Sequence, residues 1–177
     1  MRTRLRQLIL RWSKDLSGAS AVEFALTALP FLIVMFGSLQ MFLIFYLQGA
    51  LQTATQNSAR LILTGNAPST AAAYKTEVCA NLPALFNCAN VWVDVQEASS
   101  FNALNISSPT ITYGNNSETV ATAYNVGAPQ SAVILRVYYN YPVLGKGLGF
   151  GTQPNGTFLL QGTAVFQNEP YNSNLAL

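Results

Sequence analysis

The chain contains no histidine, which removes the commonest general base and the commonest neutral metal ligand. Most hydrolytic mechanisms are disfavoured on that ground. Cysteine occurs only twice, at Cys79 and Cys88. Without histidine, a four-ligand zinc site would need carboxylates grouped near those thiolates, and none are. Charge is also scarce: 9% of the 177 residues are charged, against about 25% in an ordinary soluble domain, while half are hydrophobic. That balance points to a membrane segment, and the length left over suits a single domain.

The net charge of +2 is unevenly placed. Arg2, Arg4, Arg6, Arg11 and Lys14 against Asp15 leave +4 before Gly18, and the remainder carries −2. The basic patch is terminal, and nothing beyond it offers the clustered Lys and Arg that hold a nucleic-acid backbone, so nucleic acid is set aside as a partner. From Phe24 to Leu47 the chain holds no charged residue, and about 20 mainly apolar residues suffice to cross the hydrocarbon core as a helix. Pro30 falls early in that run, where a lost backbone bond can be accommodated. The basic cluster before the run is expected to stay in the cytoplasm, which places the residues after Leu47 outside it. A removed signal sequence is the competing reading, but its apolar core is typically only about 7–15 residues long.

At the boundary stands Ser17-Gly18-Ala19-Ser20-Ala21-Val22-Glu23-Phe24. A carboxylate at the edge of an apolar run has a plain explanation, reaching the headgroups or serving the positive end of a helix dipole. Its spacing from Gly18 suggests more. Glycine, four small or apolar residues, glutamate and an aromatic, followed by a membrane run, resembles the processing site of type IV prepilins, most closely those of the tight-adherence (Tad/Flp) branch. Ala21-Val22-Glu23-Phe24-Ala25-Leu26 and Ala28-Leu29-Pro30-Phe31-Leu32 are similar to the signature of TadE-like minor pilins. The resemblance implies cleavage by a prepilin peptidase between Gly18 and Ala19, so that Glu23 becomes the fifth residue of the mature chain. Glu23 and Phe24 are then assembly contacts. A neighbouring subunit's carboxylate can neutralise the new α-amino group in a low-dielectric setting, which makes Glu23 a register device.

Beyond the run, Gln48 to Thr64 reads as a weakly amphipathic helix with Ala50, Leu51, Ala54, Ser58, Leu61 and Ile62 near one face. Gly65-Asn66-Ala67-Pro68 supplies its stop. A continuous helix from Val22 to Thr64 is roughly 60 Å long. Thr70 to Leu85 reads as a short helix carrying Cys79, with Cys88 beyond Pro83. Outside the cytoplasm oxidation is permitted, so Cys79 and Cys88 are a candidate disulfide closing a loop of about ten residues. Residues 91–96, 132–141 and 157–166 read as strands, with short strands possible at 110–113 and 119–124. The Ser-, Asn-, Thr- and Gly-rich stretch 98–131 reads as loop. The expected fold is α+β: a long N-terminal transmembrane helix, then a small antiparallel sheet covered on one face by helices. The organisation read from the sequence is a basic leader over 1–18, a helical spine over 19–64 and an extracytoplasmic domain over 65–177.

Other signals in the chain are weaker. The ending Thr163 to Tyr171 resembles a TadE-like terminus of strand, Asn-Glu-Pro and aromatic. Three sequon triplets, at Asn105, Asn115 and Asn155, are ordinary loop chemistry. Tyr138, Tyr139 and Tyr141 offer either a contact surface or sheet core, the alternation favouring core. Asp94, Glu97, Glu118 and Glu169 lack the spacing of a calcium loop. No catalytic residue, metal or cofactor is expected. The function expected is that of a structural minor pilin (pseudopilin) concerned with pilus assembly, initiation and adhesion. Its partners would be prepilin peptidase, other pilin subunits and the inner-membrane assembly platform. The alternative is an unprocessed single-pass membrane protein whose outer domain scaffolds envelope proteins.

Overall fold

The computed structural model describes residues 18–107, 109–113, 118–143 and 153–170. The basic leader through Ser17, the sequon at Asn115 and the terminal Tyr171 lie outside the described residues. The chain divides into two units, Met1–Leu43 and Ile44–Leu177. The second unit takes in the last five turns of the long helix, which bury one face within it.

That helix, α1, runs Ala19–Leu63 with Pro30 inside it. Proline has no N–H to give the carbonyl of Leu26, and its ring crowds the same turn. The helix nevertheless continues through it. Thr27 returns its hydroxyl to the carbonyls of Glu23 and Phe24, at 3.1 and 3.0 Å. Through the first unit the apolar side chains are exposed on every side, among them Val22, Phe24, Leu26, Leu29, Phe31, Val34 and Phe36. From Ile44 the pattern changes: Ile44, Leu47, Leu51, Ala54, Thr55, Ser58, Ala59 and Ile62 are buried at spacings of three and four. That is one stripe of a helix. Leu51, Ala54, Ser58 and Ile62 belong to it as expected, whereas Ala50 and Leu61 flank it. Gly65, at φ 75°, ends the helix in a Schellman motif. Asn66 donates to the Leu61 carbonyl at 2.8 Å and Gly65 to that of Ile62 at 3.0 Å, satisfying carbonyls the helix leaves open.

Helix α2, Ala71–Ala80, starts at Thr70, whose hydroxyl accepts from the Ala73 N–H at 3.3 Å. It stops five residues short of the expected Leu85, because Pro83 disfavours helical backbone just before it. Its buried residues are Tyr74 and Val78, one turn apart. The Tyr74 hydroxyl donates to the Ser58 carbonyl of α1 at 2.8 Å. Cys79 and Cys88 are joined in a disulfide with their Cα atoms 6.1 Å apart, tying the end of α2 to the turn that precedes the first strand.

The sheet contains β1 (Val91–Ala98), β4 (Ala132–Pro142) and β5 (Thr157–Gln167), antiparallel in the order β1-β4-β5. A separate short hairpin pairs β2 (Ile111–Tyr113) with β3 (Glu118–Val120). Glu118 sits in β3 in place of part of the longer strand expected at 119–124. Residues 123–125 instead run beside β1: Val95 donates to the Ala123 carbonyl at 2.8 Å and accepts from Asn125 at 2.9 Å. The molecule is thus an α+β protein.

Helices cover one face of the sheet as expected, and along β4, buried at every position from Ala132 to Asn140, the second face is covered as well. One face, carrying Val137 and its cross-strand neighbours Val93 and Gly162, meets α1. A side chain on Gly162 would run into Thr55 and come within 3.0 Å of the Leu51 carbonyl. The opposite face carries Asp94 and Arg136, paired across the strands and both buried. Arg136 donates from Nη1 to the Ser107 carbonyl at 2.7 Å, so the polar stretch after β1 lies across this second face. Tyr138 and Tyr139, pointing to opposite faces, are both buried and belong to the core.

Candidate functional site

Gly18 lies in a single 3-10 turn just ahead of α1 and is exposed. A Cβ built on it would meet nothing within 4 Å, so neither packing nor a left-handed backbone calls for glycine there. Ala19 opens α1. Glu23 and Phe24 follow one turn later, both exposed, Phe24 at 73%. The Glu23 carboxylate has no intramolecular partner among the described residues. Phe24, Thr27, Ala28, Phe31 and Leu32 form a shallow apolar cleft of about 430 Å³ beside it. The Thr27 hydroxyl is taken up by backbone carbonyls of its own helix, and the Glu23 carboxylate stands exposed on an otherwise apolar stretch. Among the described residues α1 is the helix long and apolar enough to cross a membrane.

In the second unit Asp94, Arg136 and Glu97 serve the architecture. The Asp94 carboxylate accepts from Arg136 Nε at 3.0 Å and Nη2 at 2.7 Å. It also accepts from Gln96 Nε2 at 3.1 and 3.0 Å and from the Ala123 N–H at 2.7 Å. Glu97, on the opposite face of β1 from Asp94 by the strand's pleat, accepts from the Ala128 N–H at 3.2 Å. Glu169 is exposed, and its backbone N–H donates to the Leu63 carbonyl at 3.0 Å. These acids do not converge. Among the described residues no group of three His, Cys, Asp or Glu could hold a metal ion.

The tyrosines are perturbed by burial rather than by catalysis. Burial pushes the Tyr74 hydroxyl well above its ordinary range, with the neighbouring Tyr124 adding to the shift. Their rings lie 5.7 Å apart. Burial also raises Tyr124, Tyr138 and Tyr141. Tyr139 packs against Phe86 of the disulfide loop with ring centroids 4.7 Å apart and planes tilted by 57°.

Asn105 and Asn155 close local turns, accepting from the N–H groups of Ser107 and Thr157 at 3.0 and 3.3 Å. Asn168, in the Asn-Glu-Pro ending, is buried and clamps the loop before β4. Its amide donates to the Val126 and Ala128 carbonyls at 2.9 and 3.1 Å.

Sequence reasoning missed a further pair, Gln48 and Gln52. β5 is an edge strand, and each glutamine lies against it like a short piece of neighbouring strand. Gln48 donates to the Gln161 carbonyl at 2.7 Å and accepts from its N–H at 3.4 Å. Gln52 does the same with Thr163 at 2.8 and 3.0 Å. The signal was present in the glutamines' four-residue spacing on an apolar helix, but only the strand's position gives that spacing a meaning.

Comparison with curated proteins and with solved structures returns no match. A family does match, over the stretch that opens at Gly18 and ends within α1, before the sheet begins. Over residues 18–60 the chain matches the model of the TadE-like protein family.

Proposed function

We propose that the protein is a structural minor pilin, or pseudopilin, of a Tad-type pilus. Prepilin peptidase cuts it between Gly18 and Ala19, and the helix beginning at Ala19 carries it in the inner membrane and then among other pilin subunits. The sheet domain lies on the periplasmic side, and the assembly platform and neighbouring subunits are its partners in initiation or assembly. The observation that carries this reading is the coincidence of the family match with the junction: the match opens at residue 18. There an exposed glycine precedes an exposed Glu23 on a helix apolar on all sides. A glycine that the fold does not require is understandable as one that a peptidase requires, since the lack of a Cβ lets the chain extend into a groove.

The test is the N-terminal sequence of the membrane-extracted protein, made with and without prepilin peptidase, alongside a Gly18→Ala variant. Because a Cβ at residue 18 meets nothing, the variant folds normally and reports on processing alone. An Ala19 terminus that depends on both the peptidase and the glycine is the expected result. A persistent Met1 under all conditions overturns the proposal and leaves an unprocessed anchor with a scaffolding outer domain.

A further inference from the structure

The glutamine rungs on β5 stop one step early. Four residues of helix advance about 6 Å and two residues of strand about 6.8 Å, so α1 and β5, running parallel, stay nearly in step from Gln48 to Gln52. The next pair in the series is Gln56 and Val165. An α-helix turns by about 40° beyond a full circle every four residues, and by this point the rotation has carried Gln56 away from the strand. It is exposed and its side chain forms no hydrogen bond among the described residues. Ala59 has come round to face the strand in its place, with a side chain too short to reach it.

What remains is an open groove of about 350 Å³ floored by Ala59 and Leu63 and walled by Val165 and Phe166 on one side and Gln56 and Arg60 on the other. In the β4–β5 register, Gln161 and Thr163 aim their backbone groups away from β4, toward the glutamines. Val165 shares that orientation. Its N–H and C=O therefore face the groove, with no partner among the described residues, and its side chain is 50% exposed. Arg60 is exposed and forms no ion pair among the described residues.

We infer that this groove is a docking site for an extended segment of another protein. The segment adds a short strand to the β5 edge at Val165 and places a carboxylate side chain against Arg60. An unpaired edge is a template for strand addition. The two preceding positions of the same edge are closed by Gln48 and Gln52, which confines pairing to the end of β5 from Val165 onward. A cation in the groove wall selects an acidic partner, through a charge-assisted hydrogen bond of the kind arginine makes with carboxylates. A second copy of this chain docking edge to edge would bring two Arg60 side chains into one groove, and that like-charge contact disfavours it. The inference is independent of whether the chain is cut at Gly18.

The test uses the full chain in detergent micelles as bait for a displayed library of random heptapeptides, with empty micelles as control. Enriched peptides are expected to alternate β-branched or aromatic residues and to share one Asp or Glu. A synthetic copy of an enriched peptide should lose binding to Val165→Pro, which removes the edge N–H at a position where an edge strand tolerates proline. It should bind Arg60→Gln about tenfold more weakly. Exchanging the peptide's acid for its amide should cost the same, with no further loss when the two changes are combined. Arg60→Glu, a surface change that leaves folding intact, should reject the acidic peptide and accept its lysine counterpart. No enrichment over empty micelles, enrichment without an acidic position, or equal binding by Arg60→Glu overturns the inference. Self-association of the chain that Val165→Pro abolishes overturns it in favour of a second copy.

Discussion

Replacing Asp94 with asparagine changes one atom and removes the charge from a carboxylate that accepts five hydrogen bonds. Two come from Arg136, two from Gln96 and one from the Ala123 N–H. An asparagine NH2 turned one way meets the Arg136 guanidinium, and turned the other way meets Ala123 and Gln96, so a donor faces donors in either rotamer. The Asp94 and Arg136 side chains are 2% and 5% exposed, so water cannot replace what is lost. Leaving one member of a buried pair uncompensated costs about 3–5 kcal/mol, which for a unit of this size lowers the thermal midpoint by on the order of 10–20 °C.

The assay is thermal unfolding of the full chain in detergent, followed by near-ultraviolet circular dichroism, which reports the packing of Trp92 beside Asp94 on β1. Exchanging both charges for apolar residues, Asp94→Leu with Arg136→Met, separates two contributions. The pair itself then costs little, but the Ser107 carbonyl and Ala123 N–H still lose their partners, at about 1–3 kcal/mol each. The double variant is therefore expected near or modestly above the single one in stability, and below the parent. A midpoint for Asp94→Asn within about 3 °C of the parent would refute the reasoning, because it would mean that residues 105–107 and 123 do not seal the pair from water.

Gly162→Ala should destabilise by about 1–3 kcal/mol through overpacking, because the added methyl meets Thr55 and the fixed Leu51 carbonyl; an unchanged midpoint would place α1 farther from β5. Serine at both Cys79 and Cys88 should cost about 2–3 kcal/mol by the loop-entropy estimate for a short bridge, read from urea unfolding with and without reductant, which should no longer shift the double variant. The raised Tyr74 hydroxyl means that the folded state holds its proton more tightly than the unfolded chain does. The associated stability is complete below the ordinary tyrosine value near 10 and is lost as pH rises above it. Thermal midpoints measured from pH 8 to 11.5 should therefore fall more steeply in the parent than in Tyr74→Phe, and equal slopes would contradict that assignment.

The elements legible in the sequence were those with a strong period or an unambiguous stop. The apolar run could only be a long helix, Gly65 could only end it cheaply, and the β-branched and aromatic run at 132–141 could only be a strand. The reading erred where neighbours decide. Helix α2 was carried to Leu85 because its composition is permissive on both sides of Pro83. The cover on the second face of β4 is not legible, because a stretch rich in Ser, Asn and Thr reads as solvent-exposed loop and its placement depends on Asp94 finding Arg136 42 residues away. Tyr138 and Tyr139 illustrate the same limit. Alternation predicts that one of two adjacent residues is exposed, and both are buried because each face of β4 has its own cover.

Two glycines separate what the fold demands from what it does not. Gly162 is held by close approach: its missing side chain is the space into which Thr55 and the Leu51 backbone fit, and the helix could not otherwise come near enough for Gln48 and Gln52 to reach the strand edge. Gly18 has open space around it and no left-handed backbone, so among the described residues no contact requires glycine there, and the proposed cleavage is what would give it a use. Glu23 is likewise a carboxylate on an apolar stretch of helix with no side-chain partner among the described residues. The internally justified residues thus cluster from Ile44 onward, in the sheet unit, whereas the unexplained ones lie at the start of α1, within the stretch that carries the TadE-like match. A substitution in the first group should change stability, and a substitution at Gly18 or Glu23 should change what the protein does while leaving its unfolding untouched.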